Sequence, residues 1–270
     1  LAQGQYEARI RTNKRDEIGM LYGSMDILAQ RLEEARQKDE LLKQQQQTFF
    51  ATVSHELKTP VTVIRGSVEA LRDGVISSPD DVRAYYNQIL TETKGLQRLI
   101  SDLLELSRLQ NVGFSLDMGD VDLRELLGDV AMSTGALCER KGVVFVCEEP
   151  KAGIIIRGDY RRLRQMLLAV SDNAVKFTEQ GKTVTLSLEG RTVIIADEGA
   201  GIAQEELPHI FDRFHRTHGR MGGTGLGLAI ASEVAKRHHI VIDVESRMGQ
   251  GTTFKFTFPM KNGKPKTDFQ

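Results

Sequence analysis

The chain has 270 residues, enough for two domains of ordinary size or one domain with an extension. With 40% hydrophobic and 27% charged residues it is neither disordered nor fibrous, and 36 Lys+Arg against 37 Asp+Glu exclude the overall basic excess of nucleic-acid binders. Cys138 and Cys147 are too few for a disulfide framework and lack metal-ligand spacing. No apolar run approaches the roughly 18 residues that cross a bilayer, so the sequence is expected to be soluble and globular. It starts at Leu1 in mid-element, which suggests a fragment.

Apolar residues at Ile18, Leu21, Met25, Leu28 and Leu32 step by three and four, the spacing of a helix that buries a seam against another helix. The phase blurs through Ala35, Leu42 and Phe49, then returns at Val53, Pro60 and Ile64. Gly74 and the start signal Ser77-Ser78-Pro79-Asp80 introduce a second helix, with Val82, Tyr86, Ile89, Thr93, Leu96, Ile100 and Leu103 on one face. Two long helices joined by a short turn predict an antiparallel hairpin. One exposed stripe on each helix predicts a homodimer closing a four-helix bundle.

After Asn111 the heptads give way to short mixed elements. Helices are expected over 122–140, 160–177 and 226–238, and strands over 143–147, 182–189, 191–196, 240–246 and 252–258. This mixture predicts an α/β sandwich with helices on one face of a mixed sheet. The stretch from Lys261 to Gln270 reads as a frayed tail.

Two nucleotide motifs fail. Gly181-Lys182-Thr183 resembles the end of a P-loop, but Lys176 stands where its first glycine belongs, and no glycine spacing yields the dinucleotide fingerprint. What stands out is Gly222-Gly223-Thr224-Gly225-Leu226-Gly227-Leu228, a glycine cluster opening into an apolar helix, where backbone N–H groups can meet phosphate. Asp197-Glu198-Gly199-Ala200-Gly201 follows an apolar strand, with a plain hairpin turn as its bland alternative. On the preceding helix Asn173 and Lys176 share a face, which suits a magnesium phosphate group or an ordinary polar surface.

These pieces, in this order, resemble the sensor histidine kinases of bacterial two-component systems. Asp172 to Thr178 corresponds to the family's N box, Asp197 to Gly201 to its first glycine box, Ile210-Phe211-Asp212-Arg213-Phe214 to its F box, and Gly222 to Leu228 to its second glycine box. Gly249-Gln250-Gly251-Thr252-Thr253-Phe254 matches the last glycine-containing box, and Phe50 to Pro60, with His55-Glu56-Leu57-Lys58-Thr59-Pro60, matches the phosphoacceptor H box. Asp16-Glu17-Ile18-Gly19 is similar to the second half of a HAMP signal-relay module. The expected organisation is a HAMP-like part at 1–37, a dimerisation and phosphotransfer hairpin at 38–113, an ATP-binding domain at 114–262 and a tail at 263–270.

The resemblance implies an ATP-dependent autokinase that phosphorylates His55, passes the phosphoryl group to a response-regulator aspartate, and also dephosphorylates that regulator. Glu56 is implied as general base, Thr59 as the residue that positions water for dephosphorylation, and Pro60 as a kink. Asp197 would take the adenine amino group beside Gly199 and Gly201, and Asn173 would hold Mg²⁺. Lys176 and Arg216 would meet phosphate charge, and Gly223, Thr224, Gly225, Leu226 and Gly227 would cradle the phosphate tail. Thr252 completes the nucleotide set. The other histidines, at 209, 215, 218, 238 and 239, are assigned to the surface.

Three departures stand out: Ala169 at the place of the earlier N-box asparagine, His239-Ile240 for a frequent glycine pair, and a short basic lid between Phe214 and Gly222. None touches His55, Glu56, Asn173 or Asp197, so an active enzyme is expected. A silent nucleotide-binding scaffold and a hydroxyl-directed kinase are the rivals. A HAMP-like half-module implies a missing sensor segment that would anchor the intact protein at the plasma membrane, leaving this fragment soluble and cytoplasmic.

Overall fold

The computed structural model describes residues 17–111, 113–148, 153–216 and 223–260. Asp16 and the rest of the HAMP-like start before Glu17 lie outside the described residues, as do lid residues 217–222 with His218, and the expected tail. The chain divides into two compact units, one ending at Gly66 and the other beginning at Ser67.

Helix α1 (Glu17–Arg72) carries the first unit and continues through Pro60. Proline removes the donor that would reach the carbonyl four residues back, and hydroxyls along this stretch bond back to the preceding turn. Ser54, Thr59 and Thr62 donate to the carbonyls of Phe50, His55 and Lys58 at 2.9, 3.2 and 2.9 Å. Met25, Leu28 and Leu32 on the expected seam stay exposed in the single chain. The helix ends at a turn in which Gly74 takes a left-handed φ of 68°, and α2 (Pro79–Gln110) starts with proline in its first turn and Asp80 and Asp81 beside it.

In the second unit α2 bears two apolar faces. The expected stripe is only partly covered, with Tyr86 61% and Ile100 45% exposed, whereas Leu99, Leu106 and Leu109 are buried at 5% or less. That buried face meets α5 (Gly227–Arg237).

The α/β part is a five-stranded sheet in the order β2-β4-β5-β7-β6, formed by Val144–Glu148, Thr183–Glu189, Thr192–Asp197, Gly251–Thr257 and Val241–Arg247. β2 runs parallel to β4 and the remaining pairs are antiparallel, which makes the sheet mixed. Leu126, Leu127 and Val130 of α3 (Leu123–Lys141) and Leu163, Met166, Leu167 and Val170 of α4 (Tyr160–Phe177) are nearly inaccessible. They form the core with Val184, Leu186, Val193, Ile195 and Phe256 from the sheet. Each expected helix and strand of this part lies within a residue of the observed one, and Asp122 and Asp159 cap α3 and α4 through their side chains.

Two elements escaped the sequence reading: β1 (Gly119–Asp122) and β3 (Ile155–Gly158) pair antiparallel as a separate ribbon. At four residues each they are too short for a period to register. The surface assignment of His238 is also corrected, for it is 3% exposed. Its Nδ1 bonds the Val234 carbonyl at 2.8 Å, which leaves Nε2 to accept the Asp159 N–H at 3.0 Å. The ring thereby joins the end of α5 to the start of α4. The turn after it is closed by His239 at a left-handed φ of 55°, the strained geometry expected from the missing glycines.

Candidate functional site

In the first unit His55 projects from α1 with 79% of its side chain exposed. Glu56 Oε1 lies 3.8 Å from His55 Nδ1, near enough for electrostatic attraction and too far for a hydrogen bond. Thr59, one turn on, has its hydroxyl turned to the His55 carbonyl. The imidazole is thus open to solvent, with a carboxylate beside one ring nitrogen.

In the second unit a cavity of about 1060 Å³ gathers residues far apart in the sequence. α4 contributes Ala169, Asn173 and Lys176; the end of β5 and its turn contribute Asp197, Ala200 and Gly201; the start of α5 contributes Gly223, Thr224, Gly225 and Gly227; and β7 contributes Thr252. Arg216 and His215 also line it. Gly199 is buried behind the wall, and Leu226 is fully buried beneath the glycine turn.

Asp197 sits where β5 leaves the sheet, paired with Thr252 of β7. Its Oδ1 accepts the Gly199 N–H at 2.9 Å. Burial raises the carboxyl above the ordinary aspartate value, while bonds from the Gly199 and Thr252 backbones oppose the rise. The glycines around it have steric reasons. A Cβ on Gly201 would lie 2.0 Å from the Arg247 carbonyl oxygen, and one on Gly199 would lie 2.7 Å from that of Phe177. Beneath them Ser246, absent from the sequence reading, is a buried hub. Its hydroxyl bonds the Gly251 carbonyl and Thr252 Oγ1 at 2.9 Å each, and accepts the Ile202 N–H at 2.8 Å. Ile202, Ile210 and Phe254 supply apolar wall near Asp197, enough to receive a flat heterocycle.

The charged side is built by α4 and the glycine turn. Lys176 Nζ comes so close to Gly223 that a Cβ there would meet it at 3.2 Å. Burial, with Arg216 and Lys141 nearby, lowers the Lys176 ammonium below the ordinary lysine value. Lys141, also unforeseen, donates to the carbonyls of Val175 and Lys176 at 2.8 and 2.5 Å, satisfying the last turn of α4. Gly225 has φ 68°, and a Cβ on it would lie 2.8 Å from the Cα of Phe214, whose N–H bonds the Gly225 carbonyl at 2.9 Å. The two ends of the lid segment are tied at that point. His215, assigned to the surface from sequence, sits inside the cavity wall with Nε2 2.7 Å from Glu206 Oε2. Among the described residues no cluster of three or more His, Cys, Asp or Glu could hold a metal alone.

This pairing of an exposed helical histidine with a glycine-walled, cation-lined cavity defines a class, that of the phosphoacceptor–ATPase proteins. Residues 45–112 match the His Kinase A (phospho-acceptor) domain, and residues 158–262 match the family of histidine kinase-, DNA gyrase B- and HSP90-like ATPases. The chain belongs to the histidine kinase family.

Among its relatives, the sensor histidine kinase YclK of Bacillus subtilis is 32% identical over 96% of this chain and 56% of its own length. The sensor protein SrrB of Staphylococcus aureus is 33% identical over 81% of this chain and 39% of its own. The chain thus spans about half the length of the curated relatives it matches.

Full-length ShkA, solved in complex with AMPPNP, is 31% identical at a TM-score of 0.56, covering 77% of this chain and 45% of that one. The histidine kinase ThkA, solved in complex with the response regulator TrrA, shares the fold at 24% identity and a TM-score of 0.66, covering 85% of this chain and 66% of that one. Helical hairpin and mixed-sheet domain are therefore the fold of histidine kinases.

Proposed function

We propose that the chain is the autokinase portion of a two-component sensor, transferring the γ-phosphoryl group of ATP to His55 and from there to an aspartate of a response regulator. The observation that carries this reading is the convergence of Asp197, Asn173, Lys176 and the Gly223–Gly227 turn on one cavity, in a chain whose His55 stands open to solvent. Organisation into a hairpin at 38–113 and an ATP-binding domain at 114–262 belongs to this reading, as do the HAMP-like start and a sensor segment at the membrane.

Asp197 accepts the adenine amino group, with Gly201 in the wall, Gly199 holding the carboxylate through its N–H from behind, and Thr252 bracing it. Lys176, Arg216 and the N–H groups of Gly223, Thr224, Gly225 and Gly227 take the phosphates, while Leu226, buried beneath, gives its N–H to Thr224 Oγ1 and shapes the turn. Asn173 supplies an amide oxygen toward Mg²⁺, an ion that needs only one or two protein ligands beside phosphate and water. One such oxygen with no carboxylate cage fits that habit. The ion, when bound, neutralises charge on the phosphate oxygens.

In the transfer, a ring nitrogen of His55 forms a bond to the γ-phosphorus while the bond from that phosphorus to the bridging oxygen breaks and ADP leaves. The proton on the other ring nitrogen passes to Glu56, and the Nδ1–Oε1 approach supports that pairing. Thr59 positions water when phosphate is removed from the regulator. The exposed seams of α1 and α2 support a homodimer.

Incubation with ATP labelled at the γ-phosphate and Mg²⁺ tests the reading. The expected label is lost in acid, kept in alkali and absent from His55→Gln. Acid-stable label, or full labelling of the variant, refutes it.

A further inference from the structure

Thr224, in the middle of the glycine turn, spends its hydroxyl proton on a carboxylate from another element. Its Oγ1 donates to Asp102 Oδ2 of α2 at 2.6 Å, while accepting the Leu226 N–H at 3.3 Å. Asp102 and Arg98 thereby become part of the cavity wall, beside the turn that also meets Lys176.

A carboxylate is an unfavourable neighbour for a polyphosphate. It repels the phosphates and occupies a donor they would use. Burial already holds the Asp102 carboxyl above the ordinary aspartate value, with Arg98 and the Thr224 bond compensating in part.

The rest of α2 is seated firmly enough to keep it there. Leu99, Leu106 and Leu109 are buried. Glu105 pairs with Arg162 of α4. Just past α2, the Phe114 ring lies 5.3 Å from the Arg162 guanidinium and 5.8 Å from that of Arg237. Arg237 also donates to the carbonyls of Phe114 and Asn111 at 2.9 and 2.7 Å.

We propose that Asp102 is an intramolecular competitor for the phosphate side of the cavity, so that nucleotide binding and departure of α2 from Thr224 are one coupled equilibrium. This rests on the nucleotide-binding reading above. Linkage is reciprocal: whatever pulls α2 off the ATPase elements raises nucleotide affinity, and bound nucleotide loosens α2 by the same factor.

The test is titration of the whole chain with a non-hydrolysable ATP analogue plus Mg²⁺, and separately with adenosine, which lacks phosphate. Asp102→Ala and Asp102→Asn are each expected to bind the analogue about tenfold more tightly, within the range of ordinary coupling, with adenosine unchanged. Phe114→Ala, which loosens the seat of α2 outside the cavity, is expected to move the analogue in the same direction by less. Unchanged or weaker analogue binding in both Asp102 variants overturns the inference, as does an equal change for adenosine. A wild-type chain that binds neither ligand overturns the nucleotide-binding reading itself.

Discussion

Gly249, in the turn after β6, and Gly251, the first residue of β7, stand two residues apart, with left-handed φ angles of 73° and 96°. A Cβ on Gly249 meets nothing within 4 Å, whereas one on Gly251 would lie 1.8 Å from the Asp197 carbonyl oxygen and 2.8 Å from its carbon. Alanine at 249 therefore bears only the left-handed penalty, about 1–2 kcal/mol. Alanine at 251 adds a clash between backbone atoms that no rotamer relieves. To clear it, β5 and β7 must separate by more than an ångström where Asp197 pairs with Thr252. Overpacking of that kind costs about 1–3 kcal/mol, for a total near 2–5 kcal/mol. In a domain of this size each kcal/mol lowers Tm by roughly 2–4 °C. Thermal unfolding of both variants is thus expected to show a drop for Gly251→Ala about twice that for Gly249→Ala. Because the strand end that must move carries Asp197, Gly251→Ala also weakens nucleotide binding, and Gly249→Ala leaves it near wild type. Equal drops in Tm, or wild-type affinity in Gly251→Ala, would refute the steric argument.

Asp197→Asn removes a charged acceptor while keeping the shape of the wall, so ATP binding should weaken by about 1.5–3 kcal/mol, the range for a hydrogen bond to a charged group. Calorimetry should show preference for adenine over hypoxanthine nucleotides shrinking with it; an unchanged preference would separate Asp197 from base recognition. Lys141→Met leaves two carbonyls at the end of α4 without their ammonium, and nucleotide affinity should fall a few-fold with largely restored binding in Lys141→Arg; no change in either variant would make the contact incidental to binding. His238 titrates below the ordinary histidine value because burial disfavours its charged form, outweighing the Val234 carbonyl and Asp159. The unfolded chain takes up that proton near pH 6.5 and the folded chain only at lower pH, so stability rises with pH across the interval. The contribution is complete above about pH 6.5 and is lost as pH falls through the folded value. Urea midpoints at neutral and mildly acidic pH should fall further for wild type than for His238→Gln; equal losses would place the acid sensitivity elsewhere.

Long, strongly periodic elements and glycine-marked turns were legible in the sequence because their signals are local. The helix expected over 160–177 matches the observed Tyr160–Phe177 because its apolar period is long enough to register, and the glycine turn announced itself by composition. Polar contacts formed across the fold left no such trace. His238 meets Asp159 across 79 residues, and Thr224 meets Asp102 across 122. Nothing in the sequence around His238 or Asp102 distinguishes either from a surface position. Ser246 is a similar case, an ordinary serine in a strand until the sheet brings Thr252 and Ile202 to it.

The second face of α2 escaped notice for a different reason. Leu99, Leu106 and Leu109 are interleaved with Leu96, Ile100 and Leu103, so a search for one stripe absorbs the stronger heptad and treats the remainder as noise. A helix apolar on two sides must satisfy two neighbours. On the evidence of burial, one neighbour is α5 within the same chain, while the partly exposed stripe is left for the partner helix of the proposed dimer. Asp102 and Glu105 fall on the side turned to α4 and α5, where they meet Thr224 and Arg162. The chemistry of α2 therefore makes it a shared element: any rotation that improves its packing on one side must alter the contact between Asp102 and the phosphate-binding turn on the other.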